Sequence, residues 1–405
     1  MLTRTKWAED FIEQFAVLPL VREWVFRGPS RMARGLEKEV CDLVISLRGD
    51  ALLVQMKCQE DPGSFTDTKR TSWVLKRADS ALNQIKGAIR SLRNDEIWCD
   101  HPRRGRVSFK PGELRPAHGI VLVENWGDRV ALPDTFPTIH DGIPVSYFSV
   151  NDFQNVINEL RAFPEIAVYL KFRHSLPEDT VRAIGSENVV FLYYLQHGRT
   201  FDGWTSFDEA SLAANRVSDP RFVLLAARRG EHGAHLLERV ADALATRGDN
   251  YRDGLPSDLA EGFDPPSRRQ NYLRMQENIC DLSLDGRKLL GLKLWELIQR
   301  LRADQAQDMT FAVAHVDDKP DFLYVLASAK GFDRATLLKR GVYALWAGLP
   351  HYGKTAGLYI ADRDGQGFEL VYLSGSNVTD KAREAGREMF GHLRMVDYSA
   401  HTASR

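Results

Sequence analysis

Glu39-Val-Cys-Asp42-Leu-Val-Ile-Ser-Leu-Arg-Gly-Asp50-Ala-Leu-Leu-Val-Gln55-Met-Lys57 is the stretch on which the fold turns. Residues 40–47 and 51–58 are rich in Val, Ile and Leu, and the Arg48-Gly49-Asp50 between them suits a tight hairpin turn. Three polar residues interrupt the apolar runs: Asp42, Gln55 and Lys57. Side chains alternate along a strand, so Gln55 and Lys57 share a face. If Gly49-Asp50 is the two-residue loop, Asp42 falls opposite Lys57 on that face. An acid, an amide and an ammonium then meet where their neighbours predict a core.

Burying a charge is costly unless it is paired or bound to a metal. Two readings follow. In the structural one, Asp42 and Lys57 form a buried ion pair. In the chemical one, Asp42 holds a divalent cation, Gln55 adds an oxygen ligand, and Lys57 orients an attacking water or stabilises charge on a phosphorane.

An Asp, a turn, then Gln-x-Lys on the next strand resembles the PD-(D/E)xK nuclease superfamily in its Gln-x-Lys branch, which includes the Mrr-like restriction endonucleases. Lys38-Glu39-Val40-Cys41-Asp42 and Val54-Gln55-Met56-Lys57 carry the likeness. Cys41 stands where the named motif has Pro, and Gln55 replaces the usual second acid, which removes one negative charge from the site. The resemblance implies an α/β fold, a restriction-endonuclease-like mixed sheet flanked by helices, over residues 1–172. It implies Mg²⁺ or Mn²⁺ as cofactor, DNA (double-stranded favoured) as partner and substrate, and a place in bacterial defence against foreign DNA. It also implies two further site residues. A helix before the core strands often lends a Glu to the metal, and Trp7-Ala8-Glu9 points to Glu9 rather than Glu13. Gln84-Ile-Lys-Gly87-Ala88 resembles the Gln-bearing helix of the Mrr-like relatives, where the Gln faces the catalytic strands.

Composition constrains the rest. The chain has 405 residues, 43% hydrophobic and 27% charged, as in a globular protein with length for more than one core. A net charge of −1 supplies no global field for nucleic acid, so any binding surface must come from local clustering. The four cysteines contain no C-x-x-C pair, which argues against a zinc ribbon or a disulfide framework and fits a reducing cytoplasm. No run approaches the roughly 20 apolar residues that span a bilayer, and the first residues lack a signal-peptide core. A soluble cytoplasmic protein is expected, as a homodimer or with an operon-encoded partner.

Outward from the hairpin, residues 3–17 have helical spacing and residues 20–26 read as a short strand. Arg27, Arg31, Arg34 and Lys38 around Gly35 read as a basic loop, either solvated or, at Arg34 and Lys38, touching phosphates. By alternation Glu39 points away from the face of Asp42, and it reaches that site only if the strand starts irregularly. Residues 68–93 form a long helix with Val74, Ala78, Ala81, Ile85, Ala88 and Leu92 as its buried stripe. Its basic residues, Lys76, Arg77 and Lys86 among them, are the strongest candidates for the DNA backbone. Residues 94–115 are polar and broken, and His101-Pro-Arg-Arg-Gly-Arg106 reads as a mobile basic loop placing Arg104 over a duplex. Residues 118–124 and 143–150 are further strands, and a helix starts near Asn151. Strand, strand, helix, strand, strand, helix gives a mixed sheet with helices on its faces.

Residues 173–305 form a mostly helical middle region, with 188–196 ambiguous between strand and helix and a helix break at Asp285-Gly286. His232 and His235 are spaced as a metal pair, but no carboxylate or Cys is expected to complete a set nearby, so they read as solvated histidines. Residues 306–405 read as an α+β C-terminal domain. Gly348-Leu-Pro-His-Tyr-Gly353-Lys354-Thr355 matches the P-loop letter for letter. A working P-loop stands between a strand and a following helix, whereas here a helix precedes and a strand follows, so the match is read as coincidence. Three function classes remain, led by the metal-dependent nuclease. The second is a non-catalytic nucleic-acid- or partner-binding protein with a degenerate nuclease fold, and a P-loop ATPase is third.

Overall fold

In the computed structural model the described residues are 18–58, 67–124, 136, 138–176, 187–199, 231–246, 268–303, 309–317, 319, 322–329, 354–361, 367–374, 384 and 388. They fall in two compact units, Met1–Arg229 and Gly230–Arg405.

In the first unit a 3-10 turn at Arg22–Trp24 leads into β1 (Val25–Arg27), β2 (Ser30–Ala33), β3 (Leu36–Glu39), β4 (Leu43–Leu47) and β5 (Asp50–Lys57). The long helix α1 (Asp67–Asn94) follows, then β6 (Ile97–His101), β7 (Gly105–Phe109) and β8 (Arg115–Val123). After β9 (Ile139–His140) and β10 (Ile143–Ser149) come α2 (Val150–Leu160), α3 (Phe163–Ser175) and α4 (Glu187–Gln196). The last resolves an ambiguous apolar run as helix. A six-stranded mixed sheet has the order β1-β4-β5-β8-β10-β9. Strands β1, β4 and β5 pair antiparallel, while β5, β8 and β10 run parallel. Helices lie on both faces, as the element order predicts for a mixed α/β sheet.

The β4–β5 register differs from the expected one. Leu47 pairs with Asp50 and Leu43 with Val54, so the loop is Arg48-Gly49, not Gly49-Asp50. Both loop residues have positive φ, 53° and 84°, which is the primed turn that matches strand twist. Gly49 is required there, because a Cβ would lie 2.9 Å from the Glu113 carbonyl oxygen. Continued beyond Leu43, the register sets Asp42 against Gln55, with Lys57 one step further along the same face.

Helix α1 covers that face. Its predicted stripe, Val74, Ala78, Ala81, Ile85, Ala88 and Leu92, is buried, joined by Leu82 and Ile89, against Val44, Leu53, Val121, Val123 and Val145. Each buried Val, Leu or Ile contributes about 1.5–3 kcal/mol, which holds a helix whose exposed residues are all polar or charged. Helix and sheet approach closely at Gly119, where a Cβ would meet Ile85 Cγ2 at 2.7 Å. Helices α2 and α3 cover the other face.

Two segments expected as loops are hairpins. Strands β2 and β3, and strands β6 and β7, form a smaller sheet ordered β3-β2-β6-β7. His101 builds the β6–β7 turn: its Nδ1 accepts hydrogen bonds from the backbone N–H groups of Arg103 (3.2 Å) and Arg104 (3.1 Å). That leaves the proton on Nε2, which donates to the Arg22 carbonyl at 3.0 Å. Burial lowers the His101 pKa and keeps the ring neutral, as those two incoming bonds require.

The second unit contains α5 (His232–Thr246), α6 (Arg268–Cys280), α7 (Leu284–Ala303) and a sheet of β11 (Met309–His315), β12 (Phe322–Ala329), β13 (Lys354–Ala361) and β14 (Gly367–Ser374) in that order. Helix α6 packs on β14, and α7 packs on β11 and β12. The expected middle region, 173–305, is divided at 229/230: α4 belongs to the first unit, while α6 and α7 pack on the C-terminal sheet. The break between α6 and α7 lies at residues 281–283, not Asp285-Gly286; the Ser283 hydroxyl accepts from the Gly286 N–H at 3.1 Å and caps α7. Lys354 and Thr355 open strand β13, so no helix N-terminus stands behind the Gly-Lys-Thr, and the ATPase reading loses its structural basis. No described helix is long and apolar enough to cross a membrane.

Candidate active site at the ends of the parallel strands

Between β3 and β4, residues 40–42 leave the strand geometry. They are fixed from below by the Val40 N–H on the Pro29 carbonyl (2.7 Å) and by the Gly28 N–H on the Asp42 carbonyl (3.0 Å). This short crossing hands the chain from the small sheet to the large one, and it aims Asp42 across the end of β5.

Asp42 Oδ2 accepts two hydrogen bonds, from Gln55 Nε2 at 2.5 Å and from the Met56 backbone N–H at 2.6 Å. Its Oδ1 accepts none among the described residues. Gln55 is 2% exposed, held beneath α1 on the core face of the sheet. With its Nε2 turned to Asp42, its Oε1 is the atom left for another partner. Burial raises the Asp42 pKa above the usual carboxylate value, and the Met56 N–H, the Gln55 amide and the Lys57 charge only partly counter it. The carboxylate is thus partly stripped of water and incompletely compensated, the condition in which a cation binds well.

Lys57 is near enough to lower both the Asp42 and the Glu39 pKa. Among the described residues it forms no ion pair within contact distance, so the expected buried Asp42–Lys57 salt bridge is replaced by the Asp42–Gln55 pair. The reason is the register: the Arg48-Gly49 turn moves Lys57 one step past Asp42. A half-buried ammonium beside, but not on, the carboxylate keeps its donors for something else.

Glu39 joins this set. Glu39 is an exposed residue, yet partial desolvation first, and the charge of Asp42 second, raise its pKa, while Lys57 lowers it. Alternation alone sends it away from the site; the irregular crossing at residues 40–42 brings it back. The signal in the sequence was Gly28-Pro29, which starts the hairpin that returns to Glu39. Cys41, where the named motif has Pro, is buried with its thiol donating to the Leu43 carbonyl at 3.5 Å. Burial, then Asp42 and Glu39, push that thiol well above its ordinary pKa, so Cys41 is a packing residue.

The other expected site residues fare differently. Glu9 lies outside the described residues. Gln84 is on the exposed side of α1, not turned to the strands, because the buried stripe runs through Ala81, Ile85 and Ala88. Arg104 is not on a mobile loop: its guanidinium lies 5.2 Å from the Trp24 ring centre and 5.6 Å from that of Phe26, and its Nη1 donates to the Glu23 carbonyl. The neighbouring Arg103 binds the buried Glu23 carboxylate at 2.6 Å. Arg34, Lys38, Lys76 and Arg77 are exposed, Lys86 is half-buried, and Arg77 also stacks over Trp73 at 5.6 Å. Carboxylates do stand near His235, contrary to expectation: Glu238 at 3.5 Å and Glu231 at 3.9 Å, three residues after it and four before it.

No group of three His, Cys, Asp or Glu side chains suited to a metal occurs among the described residues. The donor set at β5 is instead two carboxylates and an amide oxygen, with an ammonium alongside. It lies at the carboxyl end of the parallel strands β5 and β8, where open α/β sheets carry their sites. No family model, curated protein or solved structure matches this chain.

Proposed function

We propose that the first unit is a metal-dependent phosphodiesterase acting on DNA, a nuclease of the PD-(D/E)xK type in which Gln replaces the second acid. One observation carries it. Asp42 and Gln55 face each other at the strand ends with Glu39 and Lys57 close enough to shift the same carboxylate equilibria. The residues suit a hard divalent cation such as Mg²⁺: Asp42 Oδ1 and Gln55 Oε1 are oxygen donors not used within the pair, and burial, joined at Glu39 by the charge of Asp42, raises the pKa of both carboxylates, a cost that a bound cation relieves. When bound there, Mg²⁺ would polarise a phosphoryl oxygen and lower the pKa of a coordinated water. Lys57 supplies the protein's own part: a positioned ammonium that hydrogen-bonds the attacking water or a nonbridging oxygen as negative charge builds up. Met56 N–H and Gln55 hold Asp42 in one orientation, so the site is organised before substrate arrives.

The test is cleavage of supercoiled plasmid and linear duplex with Mg²⁺ or Mn²⁺ by wild type and Lys57→Ala, both verified as folded by circular dichroism. Wild-type cutting that falls about 100-fold or more in the variant supports the reading. Equal cutting by both removes Lys57 from the chemistry and overturns it.

A second reading has an observation of its own. Both bonds to Asp42 come from within the fold and converge on one oxygen, as in a buried structural network. The chain would then be a non-catalytic nucleic-acid- or partner-binding protein. Calorimetric titration with Mn²⁺ separates the two: the nuclease binds the ion, and Asp42→Asn abolishes that binding, whereas the structural network binds none.

A further inference from the structure

The β2–β3 hairpin is not accounted for by the core. Every residue of β3 is exposed, Leu36 at 73%, and Met32 of β2 is 55% exposed. The register pairs Ser30 with Glu39, Arg31 with Lys38, Met32 with Glu37 and Ala33 with Leu36. Partners and alternate residues share a face, so Met32, Glu37 and Glu39 take one side and Arg31, Leu36 and Lys38 the other. Arg34 is at the tip. Arg31 is paired with Asp95 at 3.0 Å, whereas Arg34 and Lys38 form no ion pair among the described residues. The ribbon is thus sided: its acidic face includes Glu39 of the site, and its basic face carries an exposed leucine.

The tip is stiff. Arg34 and Gly35 have φ of 53° and 79°, the primed two-residue turn, with four-residue strands on either side. At about 3.3 Å per residue the ribbon reaches roughly 13 Å from its base. Strand β3 is also a sheet edge, so a second copy is the competing occupant. Antiparallel self-pairing centred on Lys38 would set Glu37 against Glu39 of the other copy, and like charges placed opposite each other disfavour it. A polyanion suits the basic face better.

We propose that the β2–β3 hairpin enters the major groove of duplex DNA, with Arg34 and Lys38 on phosphates and Leu36 against base edges. The B-form major groove, about 12 Å wide and 8.5 Å deep, admits a two-stranded ribbon, and apolar side chains there meet thymine methyl groups. The deep, narrow major groove of A-form RNA excludes it. Glu39, the last residue of the ribbon, is three residues from Asp42, so a ribbon seated in the groove brings the adjacent backbone to the candidate active site. That last step rests on the phosphodiesterase reading; the groove binding does not.

The experiment measures binding of the full chain to a labelled DNA duplex and to the RNA duplex of the same sequence, by fluorescence anisotropy over a salt series without Mg²⁺. The expected result is DNA bound in preference to RNA. The Arg34→Ala/Lys38→Ala double variant should bind DNA about 10-fold more weakly, with a log–log salt slope smaller by about two. Leu36→Ser, a change at an exposed position, should weaken DNA binding and leave the slope unchanged. Equal affinity for the RNA duplex, or unchanged affinity and slope in the double variant, overturns the proposal. So does a wild-type dimer that Leu36→Ser dissociates, because the hairpin then serves a second copy. Cleavage with Mg²⁺ keeps the two readings apart. DNA bound through the hairpin but never cut defeats the active-site reading alone, while DNA cut as fast by the double variant as by wild type defeats the hairpin alone.

Discussion

The two faces of the six-stranded sheet bury polar groups in opposite ways. Beneath α2 and α3, His118 is 4% exposed, with its Nε2 against the Ser146 hydroxyl at 2.8 Å and the His174 ring edge-on at 6.2 Å. Burial, with His174 and Arg173 nearby, lowers its pKa to about 3, so the ring is neutral at any ordinary pH. Beneath α1, Asp42 is an acid whose pKa burial raises; it draws both its hydrogen bonds to one oxygen and stands near a second carboxylate and an ammonium. A neutral pair sealed inside the fold stabilises it and does nothing more. A charged group left partly uncompensated at the end of parallel strands is a place where a ligand lowers the free energy. Burial alone does not separate structural from chemical residues; the remaining charge does.

Exchanging the consequences of the two sites tests this most directly. Asp42→Asn should lower metal-dependent cleavage at least about 100-fold while leaving the circular dichroism spectrum unchanged, since an Asn oxygen still accepts from Met56 N–H. Ser146→Ala should leave cleavage within about twofold and lower the unfolding free energy by about 1–3 kcal/mol, because His118 loses its buried partner. Loss of cleavage in Ser146→Ala, with the fold intact, would break the comparison.

Acid sharpens it, because the two faces respond with opposite sign. His118 binds a proton in the unfolded chain near pH 6.5 and in the folded chain only near pH 3. Between those values the unfolded state holds the extra proton, so this face loses stability as pH falls, by at most about 1.4 kcal/mol per unit. Asp42 and Glu39 have raised pKa values, so the folded state takes up their protons first and acidification relieves the other face. Urea titrations from pH 7 to pH 5 should show the His118 loss, and His118→Phe should flatten it. Asp42→Asn should be at least as stable as wild type at pH 7 without added metal.

A smaller effect is expected where one helix meets the sheet. Gly119 faces α1, and a methyl group there would lie 2.7 Å from Ile85 Cγ2 and 3.3 Å from Val145 Cγ2. Gly119→Ala should lower stability by about 1–3 kcal/mol through overpacking. It should also weaken cleavage more than Ser146→Ala does, because α1 covers the face of Asp42. An unchanged melting temperature would show that the helix can move away freely.

Much of this arrangement was legible in the sequence because it rests on periodicity. The β4–β5 pair, the stripe from Val74 to Leu92 and the buried strand β8 follow from apolar spacing, which tertiary packing reinforces. The site was legible as far as Asp42, Gln55 and Lys57, polar residues where the pattern demands apolar ones. What was not legible depended on backbone φ. Two adjacent positive-φ residues, Arg48 and Gly49, moved the hairpin by one position and replaced an Asp42–Lys57 ion pair with an Asp42–Gln55 hydrogen bond. Arg34-Gly35 turned an expected loop into the β2–β3 ribbon, and that ribbon returned Glu39 to the site. Arg104 was misread for another reason: a basic run looks solvated until an aromatic partner distant in sequence, here Trp24, is known to lie under it.

The smallest expected effect decides how far the resemblance extends. Gln84 was expected to face the catalytic strands, yet it lies on the exposed side of α1, one residue before the fully buried Ile85. Moving it inward requires α1 to turn by roughly 100° about its axis, the angle between successive helical residues. Such a turn would also carry Leu82, Ile85 and Ile89 out of the core. Gln84→Ala should therefore leave cleavage within about twofold and stability within about 0.5 kcal/mol, as for other surface substitutions. A loss as large as that of Lys57→Ala would mean that Gln84 meets the substrate from outside, on DNA lying along α1 beside Lys76 and Arg77. Unchanged cleavage would confine the chemistry to the strand ends, with Asp42, Gln55, Lys57 and Glu39.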